Sequence, residues 1–161
     1  MMILPVGAGS IKEAARYGVV ASHTLNSVLS KKGLNTTVGD AGGFAPDWMS
    51  NEQAVVVILQ AIMDAGFKAG VEIFLALDVA SSSLYSNGKY TLVSENKILS
   101  VAPSLDYPVS WYDKYPINIL EDSMAEDDWQ GWTLMTERPG NKVQMVEAAR
   151  YPGRQAFHNL V

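Results

Sequence analysis

Two short apolar runs in the sequence each lead into an acidic residue. The run at 74–77 (FLAL) precedes Asp78, and the run at 117–120 (INIL) precedes Glu121. Each run has the length and composition of a buried strand, and a helix-like segment follows each of them. Parallel strands place their C-terminal ends at one edge of a sheet, and Mg²⁺ prefers carboxylate oxygens as ligands. The pattern therefore predicts a metal site at Asp78 and Glu121, the alternative being two ordinary surface carboxylates at strand ends.

The composition excludes several other classes of function. The 161 residues include no cysteine, which rules out disulfides and thiolate chemistry, and only His23 and His158, too few for a histidine-rich metal site. The net charge is −5 and the lysines and arginines are scattered, so nucleic-acid binding is not expected. No apolar stretch approaches the roughly 20 residues that span a bilayer. The first residues lack the features of a signal peptide, and we expect a cytoplasmic protein.

The elements that would position the two carboxylates can be read from capping boxes, glycine stops and periodicity. In chain order the pattern predicts a strand at 2–6, helices from Ser10 to Gly33 and from Ser50 to Gly66, a strand at 73–78, a hairpin turning at Asn87-Gly88, a helix at 103–114 interrupted by Pro108, a strand at 117–121, a helix from Asp127 or Asp128 to 139–140 and a strand at 143–146. Strands and helices alternate through the second half, which favours an α/β fold with parallel strands.

Three other features have a structural interpretation beside a functional one. The Gly-rich loop at 38–46 lacks the spacing of a phosphate-binding Walker A motif, and an active-site loop and a structural loop both remain open. The acidic run at 126–128 is typical of a helix N-terminus. The four tryptophans are interpreted as core or interface anchors and not as a ligand cage.

Four longer blocks resemble enolase, the phosphopyruvate hydratase of glycolysis. They are MILPVGAGSIKEA at 2–14, GLNTTVGDAGGFAP at 33–46, LALDVASSSLYSNGKY at 75–90 and YPINILEDSMAEDDWQGW at 115–132. The resemblance implies the barrel of the family's C-terminal catalytic domain, of which residues 1–146 would form about half, followed by a divergent tail at 147–161. It also implies a magnesium-dependent lyase that interconverts 2-phosphoglycerate and phosphoenolpyruvate.

The resemblance carries over to this chain only in part. Asp78 and Glu121 match two of the three carboxylates that hold magnesium in the family, whereas Ala148 stands at the third position and Ala41 at that of the general-acid glutamate. The base lysine and other substrate-binding residues of the family would lie beyond the sequence. We therefore expect a weakened Mg²⁺ site and a chain that is inactive alone.

Two further interpretations stay open. The chain could be a non-catalytic remnant that forms homo-oligomers or pairs with full-length enolase through the open edge of a half barrel. It could also have no selected function, because disabling changes at otherwise rigid positions are what relaxed selection produces.

Overall fold

The computed structural model describes residues 1–39, 42–93, 96–137 and 143–147, with the backbone alone described at 107–109. The chain divides into two compact units. The helical unit comprises Pro5–Ile73, and the sheet unit comprises Met1–Leu4 together with the chain from Phe74 onward.

Two helices make up most of the helical unit, α1 (Ile11–Lys31) and α2 (Asn51–Asp64). Both begin at the predicted serine caps. The Ser10 hydroxyl accepts a hydrogen bond from the Glu13 amide at 3.2 Å. The Glu13 carboxylate in turn accepts one from the Gly9 amide at 2.9 Å, one residue before the cap. Ser50 and Gln53 repeat this arrangement at α2, so the capping boxes are confirmed with the return bond shifted by one residue.

Both helices end at glycines in the left-handed region, as predicted. Gly33 has a φ of 70° and Gly66 one of 86°. After α1 the Leu34 amide donates to the Leu29 carbonyl at 3.0 Å, the bond that defines a Schellman motif. The same bond runs from Phe67 to Ile62 at the end of α2. The helices pack through a small buried core formed by Val28, Leu29, Val57 and Ala61.

The sheet unit is built on a four-stranded sheet. Its strands, in their order across the sheet, are β1 (Met2–Leu4), β2 (Phe74–Asp78), β6 (Ile117–Glu121) and β7 (Gln144–Val146). The last three are parallel, as the sequence predicted, whereas β1 runs antiparallel to β2. Leu75 and Leu120 are almost fully buried in this sheet. The described strands form an open sheet and do not close into a barrel.

A second, antiparallel sheet follows β2, after a 3-10 turn at Ser81–Ser83. It contains β3 (Tyr85–Ser86), β4 (Lys89–Leu92) and β5 (Lys97–Ser100). Asn87 and Gly88 both have positive φ, 51° and 76°, which confirms the type I′ hairpin. Strand β5 was not predicted, because its Ile98 is exposed and the segment shows no amphipathic alternation.

Two helices complete the described part of this unit, α3 (Val101–Tyr112) and α4 (Trp129–Glu137). Helix α3 begins two residues earlier than predicted, and its backbone stays helical through Pro108. Helix α4 begins where the sequence predicted, because Asp128 caps it: the Asp128 carboxylate accepts a hydrogen bond from the Gly131 amide at 2.8 Å.

Candidate metal site

The two predicted ligands occupy neighbouring positions at one edge of the sheet. Asp78 ends β2, Glu121 ends β6, and the two are register partners in the parallel pair. Next in the sheet, Val146 at the end of β7 is the register partner of Glu121. Asp78 is exposed and Glu121 is partly buried. The structure therefore brings together the carboxylate pair, Asp78 and Glu121, as the sequence predicted.

Backbone hydrogen bonds hold the chain where it leaves the two strands. The Val79 amide donates to the Glu121 carbonyl, and the Ser81 amide donates to the Asp122 carbonyl, both at 3.0 Å. Ala80 and Asp122 each adopt a left-handed conformation, with φ of 48° and 47°. These bonds join the segment that follows Asp78 to the end of β6 and the residue after it, and they hold the backbone next to both carboxylates in place.

The electrostatic environment of Glu121 disfavours its charged form. Burial raises the pKa of the Glu121 carboxyl, and the negative charges of Asp78 and Asp122 raise that pKa further. A cation placed between the carboxylates would reverse this effect, because it would offset both the lost hydration and the repulsion. The pair is therefore suited to a positively charged ligand.

The pair by itself falls short of a magnesium site of the predicted kind. Within the described ranges, no cluster of three or more histidine, aspartate or glutamate side chains could hold a metal. The third predicted position, Ala148, lies outside the described residues, and an alanine side chain offers no ligand atom there. One oxygen of Asp78 also accepts the Ala80 amide at 3.0 Å. Two carboxylates fit a weakly held cation, and they do not supply the ligands of a complete site.

The family model described as "Enolase, C-terminal TIM barrel domain" matches residues 1–149, which is most of the chain. The chain belongs to the enolase family. The open α/β sheet, with parallel strands ending in carboxylates, is consistent with part of that barrel domain. Magnesium dependence is a general property of the enolase family.

The Gly-rich loop belongs to the helical unit, and its described residues on either side of positions 40–41 are joined by hydrogen bonds. The Gly39 amide donates to the Gly43 carbonyl at 2.8 Å, and Gly42 has a φ of 78°. A bridge between Val38 and Phe44 also joins the two ends of the loop. Ala41, which the resemblance places at the position of the enolase general acid, lies outside the described residues. The functional interpretation of the loop therefore stays a prediction.

A largely buried network of hydrogen bonds in the sheet unit was not predicted from the sequence. The Tyr90 hydroxyl donates to the Asp128 carboxylate at 2.7 Å and accepts from the Ala125 amide at 3.0 Å. The Glu126 amide donates to the Ser82 hydroxyl at 3.0 Å. These bonds attach the loop that follows Glu121 to the small sheet and to the 3-10 turn.

Only part of the interpretation of the tryptophans is confirmed. Trp111 is buried, and Trp48 packs against the core of the helical unit. Trp129, in contrast, is 62% exposed and is not a core residue. Trp132 is partly buried, and its indole N–H donates to the Ala125 carbonyl at 3.0 Å.

In the described part of the chain, no helix combines the length and apolarity needed to span a membrane.

Proposed function

We propose that this chain derives from the magnesium-dependent lyase that interconverts 2-phosphoglycerate and phosphoenolpyruvate, and that the chain alone does not catalyse this reaction. The observation that supports the proposal is the register pairing of Asp78 with Glu121 next to a strand that leads to Ala148. Two carboxylates of an enolase-type metal site are kept together while the third position carries a methyl group.

The loss of the third carboxylate would lower the affinity of the chain for Mg²⁺. Mg²⁺ demands near-ideal octahedral geometry, and affinity for a divalent cation depends on the number and charge of its ligands. In an enolase, bound magnesium stabilises the negative charge that develops on the substrate carboxylate. With Asp78 and Glu121 as the remaining protein ligands at this edge, the chain would hold the ion weakly.

The alanine at position 41 would prevent proton transfer by the general acid. A general acid must hold and donate a proton, and the alanine side chain at 41 can do neither. Loss of one positioned acid or base typically lowers a rate by about 10²–10⁴-fold. This loss would add to the loss at Ala148, because the two positions serve different parts of the reaction. The proposed outcome is therefore absence of measurable turnover, and not merely a slower enzyme.

The test is an assay of phosphoenolpyruvate formation from 2-phosphoglycerate by the purified full chain in excess Mg²⁺. We expect no rate above the blank. The matched control is Asp78→Asn, prepared in the same way, because contaminating enolase from the host would give the same rate in both preparations. A magnesium-dependent rate that the full chain shows and Asp78→Asn lacks would refute the proposal of inactivity.

A second candidate, a non-catalytic protein that associates through its sheet, is favoured by the open sheet. Among the described strands, β1 and β7 each have one neighbour only. An unpaired strand edge offers backbone groups to another chain. We propose a homo-oligomer, or a complex with full-length enolase, as the outcome of such pairing. Sedimentation of the full chain, alone and mixed with an intact enolase, tests this candidate, and a monomer in both samples would exclude it.

A further inference from the structure

A second candidate site in the sheet unit lies between α4 and the end of β7. It is an open cavity of about 210 Å³, and it does not include the carboxylate pair. Helix α4 lines it with Trp129, Trp132 and Thr133, and Trp132 and Thr133 lie on the same side of the helix as Trp129 because they follow it by three and four residues. Met145 faces the same cavity from β7. The walls are therefore mostly aromatic and apolar.

The two indoles have different environments. Trp132 is held in place, because its N–H donates to the Ala125 carbonyl at 3.0 Å. Trp129, the first residue of α4, leaves 62% of its surface exposed. Trp129 lines the cavity together with Trp132 and Met145, and contiguous apolar surface of this kind marks binding sites, whereas a single exposed apolar residue does not. The cavity thus has one aromatic wall with a hydrogen-bonded indole N–H and one aromatic wall that is largely exposed.

The described side chains that line the cavity carry charges of a single sign. Glu126 and Glu147 both contribute to the lining, and the lining residues among those that the structure describes include no lysine, arginine or histidine. Both glutamates are partly buried. In the described part of the chain, neither carboxylate forms a salt bridge or a side-chain hydrogen bond. An anion such as a phosphorylated substrate would be repelled here, whereas a cation would be attracted.

We propose that this cavity binds a small organic cation, an ammonium group carried on a short hydrocarbon body. Aromatic faces attract such cations through their quadrupole, and quaternary ammonium ligands are recognised in this way. The carboxylates of Glu126 and Glu147 supply the opposite charge. A bare metal ion would leave the indoles unused. The volume is below the roughly 300–1,000 Å³ of pockets that hold drug-sized molecules, so the ligand is small.

The experiment is isothermal titration of the full chain with choline and with 3,3-dimethylbutan-1-ol, at constant ionic strength. The alcohol has the shape of choline with a carbon atom in place of the charged nitrogen. We expect choline to bind more tightly than the alcohol. Cation–π contacts contribute about 0.5–2 kcal/mol, which corresponds to about 2- to 30-fold in affinity. We therefore expect Trp129→Leu to weaken choline binding by a factor in that range.

The contribution of the carboxylates is tested separately with Glu126→Gln and Glu126→Gln/Glu147→Gln. Both should weaken choline binding and leave binding of the alcohol unchanged. Glu137→Gln is the matched control: Glu137 is an exposed glutamate on the same helix that does not line the cavity, and its removal should change little. The proposal is overturned if choline does not bind the full chain, if the alcohol binds equally well, or if Glu137→Gln weakens choline binding as much as Glu126→Gln.

Discussion

The Tyr90 hydroxyl and the Asp128 carboxylate form a buried hydrogen bond of 2.7 Å across 38 residues of sequence. Asp128 is only 5% exposed, and it caps α4 at the same time by accepting the Gly131 amide. The Tyr90 hydroxyl also accepts the Ala125 amide. One tyrosine thus connects the small antiparallel sheet to the start of α4 and to the loop that follows Glu121.

Tyr90→Phe should destabilise the protein. The substitution keeps the ring and removes the hydroxyl, which leaves the buried Asp128 carboxylate and the Ala125 amide each without one hydrogen bond. The expected loss is about 1–3 kcal/mol in the free energy of unfolding, the usual cost of leaving buried polar groups unsatisfied. Urea denaturation followed by circular dichroism measures it. A loss below about 0.5 kcal/mol would show that the bond is not made in solution.

Tyr112→Phe is the matched substitution with the opposite expectation. The Tyr112 hydroxyl is buried and has no hydrogen-bond partner among the described residues. Removing an unsatisfied buried hydroxyl should be neutral or slightly stabilising. The same urea denaturation compares the two variants directly. If Tyr112→Phe were as destabilising as Tyr90→Phe, the Tyr112 hydroxyl would have to be hydrogen-bonded in solution.

Stability should fall in alkaline solution because of these two tyrosines. Burial raises the pKa of both Tyr90 and Tyr112 above the ordinary tyrosine value. The folded state therefore binds the phenolic proton more tightly than the unfolded state does. The stabilisation that this tighter proton binding provides is fully present below about pH 10, and it is lost as the pH rises above that value. Thermal melts between about pH 8 and pH 11 should show a decline that is shallower in Tyr112→Phe, and equal slopes would contradict this assignment.

Glu121→Gln should raise the melting temperature at neutral pH in the absence of divalent cations. Burial and the charges of Asp78 and Asp122 raise the pKa of Glu121, so the folded state favours the protonated form. The stabilisation associated with that proton is present at pH values below the ordinary pKa of a glutamate and is lost as the pH rises through the folded-state pKa. At neutral pH the charged carboxylate therefore costs stability, and glutamine removes the charge.

Magnesium supplies the second half of this test. Millimolar Mg²⁺ should raise the melting temperature of the unmodified chain more than that of Glu121→Gln, because the ion offsets the repulsion between the carboxylates. Asp47→Asn, at an exposed position in the helical unit, controls for a general effect of removing one negative charge. A lower melting temperature for Glu121→Gln, or an equal response of all three proteins to Mg²⁺, would contradict the proposed role of the pair.

The local parts of this structure could be predicted from the sequence, because their signals are short. The apolar run that ends at Glu121 matches β6, and the serine caps and Asn87-Gly88 lie where the pattern placed them. The direction of β1 could not be predicted, since a three-residue strand carries no information about the direction of its partner. Strand β5 was missed because its sequence shows no amphipathic alternation of apolar and polar residues. In the structure its Ile98 is exposed.

The candidate site and its surroundings could likewise be predicted from the sequence only in part. Asp78 and Glu121 could be placed together because both follow apolar strands that run parallel. The bond between Tyr90 and Asp128 could not be anticipated, since nothing local in either segment selects a partner 38 residues away. Trp129 was interpreted as a core or interface anchor, and its exposure, which excludes the core, depends on how α4 packs and not on its own sequence neighbours.

The measurement that tests the central claim most directly is Mg²⁺ binding by isothermal titration to the full chain and to Ala148→Asp. If Asp78 and Glu121 are the remaining ligands of an enolase-type site, a restored third carboxylate should tighten Mg²⁺ binding by at least about tenfold, or 1.4 kcal/mol. Asp78→Asn added to Ala148→Asp should abolish the gain. Equal Mg²⁺ affinity of the full chain and Ala148→Asp would contradict the account, because Ala148 would then not stand at a ligand position.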